Sequence, residues 1–565
     1  MIETIAPIAE NPRSRTAARI GWAILIAATL YVCYFTHLGA IGFVGPDEPR
    51  YAWIARDMVE TGDWVTPRLY GKPWFEKPPL FYWGAALCFK LFGVSEAAAR
   101  LPSAISALLA TLAMAWLALR LYGVETARWL LLLLPTTVGM IGFSRAAATD
   151  MPFSAMLTIA MVCAAAVLGL TGNENTPILP RTPWLALLLF GFFLGLAVLA
   201  KGPAAVILSG GAIFFWALFT KRWPDALRLS HPAAIASFCL TALPWYILCA
   251  RRNPDFFRIF IIEHNFKRYL TPEFHHIQPF WFYAPVLLIA FLPWTALLLW
   301  SATAYSIQIA HTRHVQPSTL FLITWTGFCA LFFSTSQSKL PGYILPAIFA
   351  IGLLLARDLS CRLKSKRASI RWLCLSIAAS LVAIGLVVEL LSKKIPFVTD
   401  VRPPSSITAF ADLLFPGASV VVILSLLRKN LTAVAMVATA LLLPIFLTFG
   451  SHDLWQLDAG VSARPAAQNA IDQLPSAELN TATTYKLQRG FKFALNFYLH
   501  RELREWVPSV GHSSIIFTTH KGSVELEQMG IRCFDYVAYP AVGICVDSSE
   551  VAGLPAMLPN GRQPH

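Results

Sequence analysis

The chain reaches its first membrane-length apolar stretch in IGWAILIAATLYVCYFTHLGAIG (residues 20–42) and then becomes charged in GPDEPRYA (residues 45–52). Charged and aromatic residues continue to FEKPP (residues 75–79). An apolar run of roughly 20 residues is long enough for a helix to cross a bilayer. A charged loop placed directly after such a helix predicts that a polar ligand is held at the membrane surface.

The composition of the whole chain is typical of a polytopic membrane protein. Of its 565 residues, 56% are hydrophobic and 13% are charged, with a mean hydropathy of +0.58. Soluble domains carry about 25% charged residues. The net charge of +14 fits basic loops that face anionic lipid headgroups, so we expect a membrane and no nucleic acid as partner.

The apolar runs predict a polytopic α-helical membrane protein with about 13 spans. The predicted spans are 20–42, 104–122, 127–144, 151–170, 183–200, 204–220, 233–250, 280–300, 318–334, 343–356, 373–391, 409–427 and 432–449. Residues 79–93 predict a further helix that lies in the membrane interface instead of crossing it.

Basic residues decide the predicted orientation. Arg13, Arg15 and Arg19 precede the first span, which we interpret as a retained anchor with its N-terminus inside. An odd number of spans then places the C-terminus outside, and the short basic segments 221–228 and 357–371 inside. The division predicted is a membrane domain over 1–450 and an outer α/β domain over 451–565. The membrane domain has long outer loops at 43–103 and 251–279.

The outer domain is predicted from a change of composition after residue 450. Residues 514–519 and 534–537 favour short strands, and residues 490–503 favour a helix. Cys533 and Cys545 lie in this domain and can form a disulfide if it faces an oxidising compartment. Whether they are bonded stays open at the level of sequence.

The predicted topology gathers two kinds of charged group on the outer side. An isolated charge between apolar runs costs roughly 2.5–3.5 kcal/mol at mid-membrane, which makes Lys201 and Lys339 candidates for function. Fixed cations stabilise a phosphate leaving group, and carboxylates serve as general base, metal ligand or partner of an amino group. The carboxylates are Asp47, Glu48, Glu76 and Asp150, and the cations are Arg50, Lys77, Lys201, Arg268 and Lys339.

Structural explanations compete with these functional ones. A lysine at a span end commonly extends its ammonium to water. Asp47 and Glu48 can cap a helix that begins near Pro49. Histidines of the second long loop can bind metal together with Glu76, although a structural histidine is the commoner case. These histidines are His264, His275 and His276.

Several ordered motifs resemble one family. GPDEPRYA, GDWVTPRL (62–69) and FEKPP are similar to the first outer loop of the lipid A 4-amino-4-deoxy-L-arabinose transferases. TDMP (149–152), KGP (201–203) and SKLPGYILP (338–346) are similar to later blocks of that family. These enzymes are C-type glycosyltransferases related to protein O-mannosyltransferases. The resemblance runs through the membrane region in order.

The resemblance implies an inverting glycosyltransferase of the bacterial inner membrane, with its site and its small C-terminal domain in the periplasm. It would move 4-amino-4-deoxy-L-arabinose from undecaprenyl phosphate to a lipid A phosphate. Asp47 and Asp150, with Glu48, would be catalytic, and Glu76 with His264 would hold a divalent metal, zinc or another. The groups assigned to the lipid phosphate are Arg50, Tyr51, Lys77, Tyr82, Lys201, Arg268, Lys339 and Tyr343.

Two other functions stay open. The same fold can transfer a polyprenyl-phosphate sugar to protein Ser or Thr, or to another glycan. A transporter of lipid-linked sugars belongs to a different class. It would place its charges at the bilayer midplane and show repeated halves, and this chain has neither pattern in its sequence.

Overall fold

The chain folds into a bundle of apolar helices with a small mixed sheet near its C-terminus, as seen in a computed structural model. The structure describes residues 12–171, 183–267, 269, 277–312, 315–365, 369–399, 405–427, 431–449, 454–507, 515–534 and 541–546. The expected fold class, a multi-pass helical membrane protein with a C-terminal α/β region, is confirmed.

Among the described residues, eight helices are long and apolar enough to cross a membrane. They are Pro12–Phe35, Glu96–Tyr122, Asp150–Val167, Trp184–Lys201, Pro232–Arg252, Pro317–Thr335, Leu345–Ser365 and Ser369–Thr399. Further helices are Val124–Leu133, Val138–Ser144, Ala204–Thr220, Trp223–Leu227, Tyr283–Ala290, Thr295–Thr312, Ser405–Leu427 and Thr432–Phe449. Each predicted span coincides with an apolar helix or with a broken pair of helices.

Two spans predicted as continuous are broken. The span at 127–144 bends by 66° between Leu133 and Val138. The span at 280–300 is interrupted at Pro293, which has no N–H to continue a helix. Hydrogen bonds join the polar groups of one break to those of the other. The Trp294 indole donates to the Thr136 hydroxyl over 3.0 Å, and the Val138 N–H donates to the Leu292 carbonyl over 2.9 Å.

The segment after the first span forms two short helices around a hairpin. The helices are Asp47–Thr61 and Leu80–Phe92, and the latter confirms the helix predicted over 79–93. The hairpin pairs the strands Arg68–Leu69 and Lys72–Pro73. This arrangement returns the chain to the start of the first short helix, so that Glu76 reaches Arg50 of that helix.

The C-terminal region builds a five-stranded mixed sheet with helices packed on it. In spatial order the strands are Arg504–Glu505, Thr483–Tyr485, Ile515–Thr518, Gly543–Val546 and Arg532–Phe534. The first two pairings are parallel and the last two antiparallel. Cys533 and Cys545 face each other on adjacent strands and form a disulfide. The helices are Leu454–Val461, Arg464–Gln473, Ser476–Leu479, Arg489–Leu499 and His520–Gln528.

Two elements predicted for this region have different bounds in the structure. The helix predicted over 490–503 ends at Leu499, because His500 adopts a left-handed conformation with φ of 54°. The strand predicted over 534–537 runs from Arg532 to Phe534, and residues 535–537 lie outside the described residues. The domain boundary at 450 stays a prediction.

The C-terminal domain docks on the loop that follows the first helix. The Arg464 guanidinium donates to the carbonyls of Gly39 and Ala40 over 2.7 and 2.6 Å and pairs with Glu96 at 3.3 Å. The Tyr498 hydroxyl donates to the same Glu96 carboxylate over 2.9 Å. The docked surface therefore lies directly beside the charged loop.

A second contact brings the helix Arg489–Leu499 against the charged loop itself. The rings of Phe43 and Phe497 meet edge to face with centroids 4.9 Å apart. Gly490 lies so close to Gly45 that an added Cβ would be 3.0 Å from the Gly45 carbonyl carbon. Only a residue without a side chain fits this approach without moving one of the two backbones.

Arg100 holds the charged loop from the membrane side. It is 5% exposed, and its guanidinium donates to Glu48 over 2.9 and 2.7 Å. It also donates to the carbonyls of Leu38, Ile41 and Gly42 over 2.6–2.8 Å. Arginine has five N–H donors, and here every one has an acceptor.

We predict that Arg100→Ala destabilises the protein by about 3–5 kcal/mol, because it leaves the buried Glu48 carboxylate without its cation. Thermal unfolding of the purified protein in detergent measures the effect. Arg128→Ala is the matched control, because the Arg128–Glu125 pair is only partly buried and should contribute about 0–1 kcal/mol. Equal losses for the two variants would show that the Arg100 network does not hold the loop.

Candidate functional site

Four side chains of the first loop alternate in charge and form a continuous series, here called the first-loop charge chain. Arg50 hydrogen-bonds to Asp47 and pairs with Glu76 at 2.9 Å between Nη1 and Oε2. Lys77 Nζ lies 3.5 Å from the other oxygen of Glu76. The Asp47 side chain is 46% exposed, whereas the other three are 12% exposed or less. Asp47 is thus the member that can reach a ligand in solvent.

Local structure explains why these four residues meet. Asp47 and Arg50 are three residues apart in the first turn of one helix, so they share a face. Glu76 and Lys77 follow the hairpin, which returns the chain to that face. Pro79 then precedes the helix Leu80–Phe92 and ends the extended segment.

Arg50 is fixed by rings as well as by carboxylates. Its guanidinium lies 5.8 Å from the ring centroid of Tyr51, 5.5 Å from Trp74 and 5.4 Å from Phe493 of the C-terminal domain. Burial is the largest single influence and lowers the pKa of Arg50, but Glu76, Tyr51 and Asp47 together outweigh it and raise the pKa overall. Arg50 is therefore a permanent cation enclosed by aromatic rings.

Tyr51 and Tyr82 lie beneath this charge chain, with ring centroids 5.7 Å apart. Burial, and next the nearby Glu76 carboxylate, raises the pKa of both phenols well above the usual value. Both hydroxyls therefore keep their protons at neutral pH. The Tyr82 hydroxyl is buried and has no hydrogen-bond partner in the described part of the chain.

A second ion pair joins two helices of the bundle. Lys201, the last residue of Trp184–Lys201, pairs with Asp150, the first residue of Asp150–Val167, at 2.5 Å. The Lys201 ammonium also lies 4.5 Å from the ring centroid of Tyr343. Gly342 makes room for Asp150, because a Cβ at residue 342 would lie 2.5 Å from the carboxylate oxygen.

The two charged groups border one cavity of about 360 Å³. Lys77 and Lys201 line the cavity, whereas their carboxylate partners Glu76 and Asp150 do not. Much of the remaining wall is apolar or aromatic. The cavity is lined by Lys77, Phe153, Lys201, Pro203, Ala204, Ile207, His264, Tyr269, Phe332, Phe333, Ser336, Ser338 and Tyr343. It therefore offers two ammonium groups and an apolar surface to one ligand.

Other predicted site residues lie away from this cavity or outside the description. Glu48 accepts from Arg100 and from the Ala147 N–H at 2.7 Å, so its oxygens are engaged within the protein. Lys339 donates to the carbonyls of Gln278 and Ser336 over 2.9 and 2.6 Å and does not line the cavity. Arg268 lies outside the described residues. The functional roles of all three stay predictions.

A metal centre finds no support in the described part of the chain. No three His, Cys, Asp or Glu side chains form a group that could hold a metal ion there. Glu76 is already paired with two cations, while His264 lines the cavity. His275 and His276 lie outside the described residues. The described residues do not supply three ligands for a metal, so we derive no step through one, and the metal stays a prediction.

The residue-level analysis of the sequence missed most of the side chains that line the cavity, including three polar ones. Tyr269, Ser336 and Ser338 line the cavity, and Phe493 covers Arg50 from the C-terminal domain. Ser338 does fall within the motif SKLPGYILP, which gave a signal for the segment but not for this side chain. For Phe493 no sequence signal existed, because its partner Arg50 is distant along the chain.

Comparison with known proteins shows related sequences. A protein-family model described as "Dolichyl-phosphate-mannose-protein mannosyltransferase" matches residues 22–260. An "Undecaprenyl phosphate-alpha-4-amino-4-deoxy-L-arabinose arabinosyl transferase" of Enterobacter sp. (strain 638) is 33% identical over 55% of this chain and 54% of its own length. The enzyme of that description from Aeromonas salmonicida (strain A449) is 33% identical over 59% of each chain. The matched segment thus spans somewhat more than half of each relative.

Solved structures show the same fold along nearly the whole chain. ArnT from Cupriavidus metallidurans bound to undecaprenyl phosphate aligns with a TM-score of 0.71 and 24% identity. This alignment covers 94% of this chain and 99% of ArnT. The apo state gives a TM-score of 0.72 at 23% identity over the same shares. The resemblance predicted from the motifs is therefore confirmed for sequence and fold.

We predict that Gly342→Ala destabilises the protein by about 1–3 kcal/mol, because the new methyl group overlaps Asp150 and disturbs its pair with Lys201. Thermal unfolding measures the change. Gly327→Ala is the control, since a Cβ in that helix meets nothing within 4 Å. The control should be neutral or slightly stabilising. If both variants behave alike, the packing of Gly342 against Asp150 is not a constraint.

Proposed function

We propose that this chain is an inverting glycosyltransferase that moves 4-amino-4-deoxy-L-arabinose from undecaprenyl phosphate to a phosphate of lipid A. The observation that carries the proposal is the cavity, whose wall combines Lys77 and Lys201 with apolar and aromatic side chains. A polyprenyl phosphate has the matching chemistry, since it joins one anionic group to a long hydrocarbon chain. The resemblance to the arabinosyl transferases supports the same choice.

The two lysines suit the departing phosphate. Their side chains are only 11% and 13% exposed, so water screens their charges weakly. As the bond from sugar to phosphate breaks, negative charge grows on the leaving phosphate and attraction to fixed cations grows with it. The stabilisation is therefore greater in the transition state than in the bound substrate, which is the condition for catalysis.

The reaction fits a single displacement. A phosphate oxygen of lipid A attacks C1 of the sugar, the bond from C1 to the undecaprenyl phosphate oxygen breaks, and the configuration at C1 inverts. The attacking oxygen is already anionic at neutral pH, so it scarcely needs a general base. We assign Asp47 to holding the sugar ammonium or orienting the acceptor, and Asp150 to holding Lys201 in place.

Glu48 fits a positioning role in this scheme. Its carboxylate is enclosed by Arg100 and backbone N–H groups, and its neighbour along the chain is Asp47. The ion pair between Glu48 and Arg100 thus fixes the start of the helix that carries Asp47 and Arg50. The metal predicted for Glu76 and His264 has no step in the scheme.

We place the protein in the bacterial inner membrane, with the cavity and the C-terminal domain on the periplasmic side. The donor and the acceptor are both lipids, and the cavity lies at the ends of membrane-length helices. The disulfide between Cys533 and Cys545 supports an oxidising compartment for the C-terminal domain.

A second candidate function keeps the donor and changes the acceptor to a protein hydroxyl or another glycan. The family description "Dolichyl-phosphate-mannose-protein mannosyltransferase" favours it. A hydroxyl acceptor must lose its proton during attack, so Asp47 would then act as a general base. Both candidates predict an essential Asp47, and the acceptor distinguishes them.

Asp47→Asn should reduce transfer at least about 100-fold while the protein stays folded, because the half-exposed carboxylate contributes little to packing. The assay combines purified protein with undecaprenyl-phosphate-linked aminoarabinose and lipid A, and mass spectrometry detects the product. Parallel reactions contain a Ser/Thr-rich peptide instead of lipid A. Asp57→Asn, a carboxylate on the same helix outside the charge chain, is the control. Normal transfer by folded Asp47→Asn would refute the assignment.

Lys77→Ala should weaken binding of undecaprenyl phosphate by about ten-fold or more, because one of the two cavity ammonium groups is lost. Lys90→Ala serves as the control, since Lys90 is exposed and lies over Trp64 instead of the cavity. Binding is measured on detergent-solubilised protein by native mass spectrometry. An unchanged affinity of Lys77→Ala would remove this residue from the phosphate site.

A further inference from the structure

One hydroxyl of the cavity wall has no partner within the described structure. Ser338 is 2% exposed and lines the cavity, yet its Oγ makes no hydrogen bond with any described residue. Buried polar groups are almost always hydrogen-bonded in native proteins, because an unmade bond forfeits the hydration that the group had in water. A buried hydroxyl without a partner at a cavity wall indicates that its hydrogen-bond acceptor is an atom of the bound ligand.

The backbone around Ser338 is held in place, so the hydroxyl is not left over from a loose loop. The Ser336 hydroxyl donates to the Ser338 carbonyl over 3.0 Å. Lys339 Nζ donates to the Ser336 carbonyl over 2.6 Å. The Gln337 N–H donates to the Tyr269 carbonyl over 3.0 Å. Polar groups on both sides of Ser338 are therefore engaged within the protein, whereas its own hydroxyl has no partner among the described residues.

The neighbours of Ser338 in the cavity define the chemistry of the missing partner. Lys77 and Lys201 line the same space and attract an anion. Phosphate oxygens accept hydrogen bonds, and a hydroxyl donating to a charged oxygen makes a stronger bond than one donating to a neutral group. A hydrocarbon chain would leave the hydroxyl as it is, without a partner.

We propose that the Ser338 hydroxyl donates a hydrogen bond to the phosphate of the lipid bound in this cavity, and thereby acts as a substrate-binding residue. The inference rests on the proposed function, because it takes the ligand to be a lipid phosphate. Lys339 then has a supporting part, since its bonds to Ser336 and Gln278 fix the segment that presents Ser338. The phosphate is that of undecaprenyl phosphate, and the lipid A phosphate is the alternative source.

The test compares Ser338→Ala with Ser336→Ala in two measurements on the full-length protein. Without ligand, Ser338→Ala should unfold at the wild-type temperature or above it, because the variant removes a buried hydroxyl that bonds to nothing. Ser336→Ala should unfold at a lower temperature, because it loses the bond to the Ser338 carbonyl. With undecaprenyl phosphate as the probe, Ser338→Ala should bind about ten-fold more weakly than wild type.

Each outcome decides the inference. Weaker binding of undecaprenyl phosphate supports the donor phosphate, and weaker binding of lipid A alone moves the contact to the acceptor phosphate. Wild-type affinity of Ser338→Ala for both lipids overturns the inference and leaves the proposed function standing. A ligand-free unfolding temperature reduced as in Ser336→Ala also overturns it, since the hydroxyl then has a partner in the protein. Wild-type protein that binds neither lipid overturns the proposed function as well.

Discussion

A single buried guanidinium organises the region on which the site is built. Arg100 stands in the first turns of a membrane-length helix and uses all five of its N–H groups on Glu48 and on three carbonyls of residues 38–42. Satisfying a buried charge so completely is the condition for keeping it in an apolar setting. The network fixes residue 48 relative to the end of the first helix. It thereby also positions Asp47 and Arg50, which lie in the same helical turn as residue 48.

The electrostatics of the cavity depend on where the acidic and basic side chains lie, more than on their total charge. The first-loop charge chain and the Asp150–Lys201 pair contain equal numbers of acids and bases, yet the lysines line the cavity and the acids stand behind them. Each lysine is thus held beside its carboxylate while its side chain lines the cavity. Under the proposed function, the lipid phosphate completes an arrangement that the protein has already stabilised, so its entry needs little reorganisation.

The sequence predicted the helices, because apolar periodicity is a local signal. Its candidate residues also included four side chains that line the cavity, namely Lys77, Lys201, His264 and Tyr343. The clustering of charge on one membrane side and the roles of the site residues stay predictions. The sequence did not predict the two broken spans, since the partners of Thr136 and Val138 come from a segment more than 150 residues away. It assigned Lys339 to the lipid phosphate, and this role stays a prediction; in the structure the ammonium binds two carbonyls. Ser338 could not be chosen from its motif, because only the packed loop shows which hydroxyl is left without a partner.

The docking of the C-terminal domain makes the site dependent on the order of biosynthesis. The loop that carries Asp47 is synthesised before the C-terminal domain, yet the Gly42 N–H donates to Asp458 and the Gly39 carbonyl accepts from Arg464. These bonds join positions 416 and 425 residues apart in sequence. Contacts of such separation form late in folding. The loop therefore lacks these partners until the C-terminal domain has been made and folded, so a chain that ends within the helix bundle lacks these contacts beside the site.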